Sequence, residues 1–65
     1  MKARMRIKSA DKDTLRDICT EYGCFLSTDN EGGGYCDAII EGVNSEIDNV
    51  VRAAINATIS FFPVR

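Results

Sequence analysis

Lys2-Ala3-Arg4-Met5-Arg6-Ile7-Lys8 alternates charged and apolar residues without a fault. The four cations fall on one side and Ala3, Met5 and Ile7 on the other, the period of a half-buried strand. Met5 and Ile7 then need elements to cover them, and the following residues supply one. Ser9-Ala10-Asp11 offers helix-capping side chains. Leu15, Ile18, Cys19 and Tyr22 recur at helical spacing and predict a helix over about 12–22. Gly23 is placed to end that helix in the left-handed conformation.

Cys24 to Thr28 reads as a second strand. Tyr35 to Glu41 reads as a third, with Ala38 and Ile40 on one face and Asp37 and Glu41 on the other. Asp29-Asn30-Glu31-Gly32-Gly33-Gly34 between them has the chemistry of a hairpin loop. Gly42 closes the third strand. Asn44 and Ser45 then offer caps, with Asp48 three residues after Ser45 as in a capping box. Ile47, Val50, Val51, Ala54, Ile55, Ile59 and Phe62 keep helical spacing towards the end of the chain. A rival parse stops this helix near Asn56 and makes 58–62 a strand of β-branched and aromatic residues. The unbroken period and the lack of glycine near residue 56 favour the helix.

The expected order is β-α-β-β-α, an α+β two-layer sandwich. If the first strand pairs with the third, the sheet is three-stranded and antiparallel throughout, with both helices on one face. A strand at 58–62 would make it ferredoxin-like. Met5, Ile7, Leu15, Ile18, Ile40, Val51 and Ile55 are the expected core.

Sixty-five residues, 45% of them apolar, fit a single domain over 1–65 and argue against disorder. A core this small leaves stability marginal, and a disulfide, a metal or a second subunit is the usual help. A homodimer is therefore among the expectations. The alternating N-terminus builds no apolar run, so no secretion signal is expected. Val50 to Phe62 carries Arg52 and Asn56 and falls short of the roughly 20 residues of a membrane span.

Three cysteines without a CxxC pair, and no histidine, suit a reducing cytoplasm. Zinc would require Cys19, Cys24 and Cys36 plus a carboxylate at non-standard spacings. Buried, reduced thiols are expected instead, with no metal and no cofactor. A Cys24–Cys36 cross-strand bridge is the alternative for oxidising conditions. Nucleophilic catalysis needs a positioned base, and histidine, the commonest, is missing, so no catalytic residue and no enzyme is expected. Gly32-Gly33-Gly34 precedes a strand, where a phosphate-binding loop precedes a helix; it reads as a hairpin tip.

Charge segregation carries the functional expectation. A formal net charge of −2 conceals the cationic first strand and a remainder, Ser9 to Val64, with ten acids against Lys12, Arg16 and Arg52. Lys2, Arg4, Arg6 and Lys8 are the candidate anion-binding set for a regulatory module that takes an anionic ligand or nucleic acid. Their bland reading is neutralisation by Asp37 and Glu41 across the sheet. The first strand has no aromatic platform and the net charge has the wrong sign, so direct nucleic-acid binding is not expected.

Asp13, Asp17 and Glu21 follow at spacing four and stack along one helix edge. With Asp29 and Glu31 they are the candidate partner-binding residues, directed at a protein with a cationic surface. The interval between them is of the order of that between phosphates on a nucleic-acid strand. Short, acidic, single-domain chains without catalytic groups are the form that phage-encoded inhibitors of host machinery often take, anti-CRISPR proteins among them. The expectation is a small non-enzymatic cytoplasmic binding protein that occupies such a surface by nucleic-acid mimicry. That expectation is an analogy of size and charge. An assembly subunit is the remaining alternative.

Overall fold

Ile7 is fully buried and its neighbour Lys8 exposed, as strict alternation along a strand requires. The computed structural model of the chain describes residues 1–62. It runs β1 (Lys2–Lys8), a 3-10 turn (Ser9–Asp11), α1 (Lys12–Glu21), β2 (Phe25–Gly32), β3 (Tyr35–Glu41) and α2 (Asn44–Asn56). The strands form one antiparallel sheet in the order β1-β3-β2. One face of the sheet supplies Ile7, Cys36, Ala38 and Ile40 to the core. Leu15 and Cys19 of α1 and Ile47, Val50 and Ala54 of α2 join them there. This is the expected two-layer α+β sandwich, with both helices on one face and the other face left open. No helix among the described residues is long and apolar enough to cross a membrane.

Both helices end in the same hydrogen-bonded closure. At the end of α1 the Cys24 N–H donates to the Cys19 carbonyl (2.8 Å) and the Gly23 N–H to that of Thr20 (3.2 Å). Gly23 sits at φ +71°, completing a Schellman motif where the sequence places one. At the end of α2 the Ile59 N–H donates to Ala54 (2.9 Å) and the Thr58 N–H to Ile55 (3.0 Å). Here the left-handed residue is Thr58, at φ +64°. A β-branched residue is strained in that conformation. Ala54 and Ile59, the two positions whose apolar contact accompanies this motif, are both buried and offset the strain.

The helical period from Ile47 to Phe62 is therefore misleading. α2 stops at Asn56 because burying Ile59 outweighs both the helical spacing and the lack of a glycine. Residues 58–62 are not a fourth strand either: Phe62 makes a single antiparallel bridge to Arg6, on the outer side of β1. Anything the expected helix would place beyond Phe62 lies outside the described residues.

Four further expectations are corrected. Ile55 is exposed, because at 3.6 residues per turn it lies roughly 100° round from the centre of the Ile47/Val50/Ala54 arc. Met5, Ile18 and Val51 are half-buried, at the margin of the core. The capping side chains make no cap bonds: α1 starts from Asp11 and α2 from Val43, with Asn44 already helical. The Ser9 hydroxyl is buried without a partner. Finally, β2 extends to Gly32, and only Gly33 and Gly34, at φ +61° and +83°, make the turn. Two successive left-handed residues are what a tight two-residue hairpin turn requires.

These ends and arcs are testable by urea unfolding. Thr58→Gly should raise stability by about 1 kcal/mol by removing the strain. Leu15→Ala should lower it by about 2–5 kcal/mol, whereas Ile55→Ala should stay within about 0.5 kcal/mol. A destabilised Thr58→Gly protein would contradict the closure described for α2.

Candidate functional site

The open face of the sheet carries its densest polar cluster around Asp37. Register places Asp37 opposite Arg6 on β1 and Asp29 on β2. Although it lies on the face away from the helices, Asp37 is only 2% exposed. Arg6 Nη1 donates to its Oδ1 at 2.7 Å and Arg4 Nη2 to its Oδ2 at 3.0 Å. Arg4 also reaches Asp29 Oδ2 at 3.4 Å, relieving the repulsion of two carboxylates placed directly opposite.

The fourth member comes from an irregularity. Between Asp29 and Gly32, β2 holds one residue more than β3 does, which makes a bulge. Asn30 takes φ +49° there and its Nδ2 donates to Asp37 Oδ2 at 2.9 Å. By its turn chemistry Asn30 belongs to a loop; the bulge turns it into a ligand of a buried carboxylate. The one sequence signal is that asparagine tolerates the left-handed conformation. Hydrogen bonds from Asn30, Arg6 and Arg4 hold the Asp37 carboxyl at about 2.

This cluster decides the fate of the basic stripe. Arg4 and Arg6 are both committed to Asp37, and only Lys2 and Lys8 of the candidate anion-binding set keep exposed, unpaired ammonium groups among the described residues. The expected pairing with Glu41 is absent: Glu41 faces Lys2 in register but makes no ion pair with it.

The acidic candidates divide into three places. Asp13, Asp17 and Glu21 are all exposed, on the side of α1 turned away from Leu15 and Cys19. Arg16 reaches Asp13 at 3.4 Å, but the Asp13 carboxyl is still 90% exposed. Asp17 and Glu21 have no cationic partner among the described residues. Asp29 lies on the open sheet face with Arg4, so it does not join the helical row. Glu31 sits at the far end of β2 and pairs with Lys12 at 3.4 Å.

A third feature is an open groove of about 480 Å3 between α1 and β2. It is lined by Arg16, Cys19, Thr20, Gly23, Cys24, Phe25 and Leu26. All three thiols are free and buried. Burial, and then the nearness of Cys24, push the Cys19 thiol up to about 11; burial, then Glu46, raise Cys24. Among the described residues no three metal-ligating side chains converge. Cys24 precedes β2 and rests on Gly42, where an added Cβ would come within 2.9 Å of its Sγ. Register sets Phe25 opposite Glu41 and Gly32 opposite Tyr35, so Cys24 and Cys36 stand at opposite ends of the β2–β3 pair and a cross-strand bridge between them has no geometric basis.

The Asp37 cluster makes a signed forecast for pH. Its folded value lies below the unfolded carboxyl value of about 3.9, so its stabilisation is complete above that value and declines as pH falls through about 2. Asp37→Asn should lower the melting temperature at neutral pH, and its gap from the wild type should close towards pH 2. A gap that persists unchanged there would show that the carboxylate's charge is not what holds the cluster. Compared with family models, curated proteins and solved structures, the chain matches none.

Proposed function

We propose that this chain is a small non-enzymatic binding protein that acts in the cytoplasm by occupying the cationic surface of a protein partner through the acidic edge of α1. The observation that carries this reading is the asymmetry of its charges. Arg4 and Arg6 are tied to Asp37, while Asp13, Asp17 and Glu21 stand exposed with a single weak cationic contact among them. Three carboxylates at steps of about 6 Å along a helix present a negative ladder of the kind a nucleic-acid groove receives. A bacterial nucleic-acid-handling complex is the partner class, and inhibition by mimicry, as in the anti-CRISPR group, is the action. Asp29 and Glu31, each already paired, are at most secondary contacts. Reduced, buried thiols suit the compartment.

One observation favours a second reading, assembly with a further copy. Among the described residues β2 has a neighbour on one side only, whereas the outer side of β1 receives the Phe62 bridge. An unpaired edge of eight residues is a template for another strand. The anion-binding alternative through the basic stripe loses two of its four cations to Asp37.

Reversal of Asp13, Asp17 and Glu21 to Lys tests the first reading, because exposed substitutions change stability by only about 0.5 kcal/mol each. Used as bait in a bacterial lysate, the wild type should recover a nucleic-acid-handling complex. Added nucleic acid should displace it, and rising salt should weaken the capture. The triple variant should recover none. Equal recovery by both proteins, or recovery of nucleic acid itself, would defeat the proposal; self-association alone would favour assembly.

A further inference from the structure

We propose that Cys19 and Cys24 form a dithiol modification site, which a low-molecular-weight disulfide such as oxidised glutathione converts into an intramolecular bridge. The bridge would tie the last turn of α1 to the start of β2. The geometry comes from the helix end. In the Schellman closure of α1 these residues are the acceptor and the donor of the long-range bond, Cys24 N–H to Cys19 carbonyl at 2.8 Å. Side chains at those two positions characteristically touch, and here both are thiols. The bond also bounds the backbone. With standard covalent lengths, one 2.8 Å hydrogen bond cannot leave the two Cα atoms more than about 6.7 Å apart. Disulfides usually span about 4.4–6.8 Å between Cα atoms.

The third thiol is excluded by distance. Cys24 lies against Gly42, and Gly42 is six positions along the chain from Cys36. That is about 20 Å of extended backbone. Access is through the groove that both Cys19 and Cys24 line. Cys24 is 8% exposed and Cys19 1%, so the reagent meets Cys24 first.

In the first step the Cys24 thiolate attacks one sulfur of the reagent. A mixed disulfide forms, the reagent's own S–S bond breaks, and one thiolate leaves. The Cys19 thiolate then attacks the Cys24 sulfur, closes the protein disulfide and expels the second reagent thiolate. The two protons released by Cys19 and Cys24 end on the two leaving groups. The protein is oxidised by two electrons and the reagent reduced to two thiols. Only thiolates attack, and burial raises both thiols, so the reaction should accelerate as pH rises.

The test uses the full chain, folded, incubated with oxidised glutathione at mildly alkaline pH. Intact mass should fall by two hydrogens and recover under a dithiol reductant. Glu21, Glu31 and Glu41 separate the cysteines, so cleavage after glutamate distinguishes the pairings. A 19–24 bridge links the peptide ending at Glu21 to the one running from residue 22 to 31. A 24–36 bridge links 22–31 to 32–41. The expected result is the first link, with Cys36 alkylated only after unfolding. Cys19→Ala should stop at a stable mixed disulfide on Cys24, with mass raised by one reagent thiol less two hydrogens. A bridge to Cys36, a wild type that halts at the mixed disulfide, or a folded wild type that does not react where the unfolded chain does would each overturn the proposal.

Discussion

Burial of β3, along its inner face and at Asp37 on the outer one, is the constraint from which the rest of the structure follows. As the central strand it has β1 and β2 at its sides and two helices over Cys36, Ala38 and Ile40. No helix among the described residues covers its other face, yet Asp37 there is almost as inaccessible as the core. A buried carboxylate must be paired and fully hydrogen-bonded, since an unpaired one loses its hydration without return. Arg4, Arg6 and Asn30 satisfy it, each from a neighbouring strand. The cluster also specifies register: a slip by one residue would carry Asp37 into the apolar layer and Ala38 or Cys36 out of it.

That requirement reshapes the electrostatics of the molecule. In the sequence the first strand is a row of four cations; in the fold its two arginines complete a charge cluster around Asp37 on the open sheet face. The acids of α1 carry no such obligation, and they dominate the outward face of that helix. Charge counted along the chain and charge offered to a partner are different quantities, and only the second bears on recognition. This asymmetry, not the net charge of −2, is the basis of the proposed surface-occupying role.

The two helix ends show how one backbone closure serves different side chains. At Gly23 the left-handed residue is unstrained, and the paired positions hold two thiols. At Thr58 it is strained, and Ala54 and Ile59 compensate by burial. In each case the closure turns the chain back to the sheet, into β2 after α1 and to the Phe62 bridge after α2. In a domain with so small a core, the strain at Thr58 is a large share of the margin.

The sequence by itself determined the strand of residues 2–8, the apolar stripe of α1, its end at Gly23, the hairpin and the α+β layout. Each of these rests on local periodicity or on a residue with one dominant backbone preference, and such signals need no knowledge of neighbours. Exposure of Asp13, Asp17 and Glu21 was legible for the same reason, since spacing four opposite an apolar stripe fixes a face. Tertiary structure alone decided the end of α2, the bulge that recruits Asn30 and the double arginine grip on Asp37. All three depend on contacts between residues distant in sequence. Ile59 stops a helix because a core lies within its reach, and Asn30 becomes a ligand because a buried charge on the adjacent strand requires one.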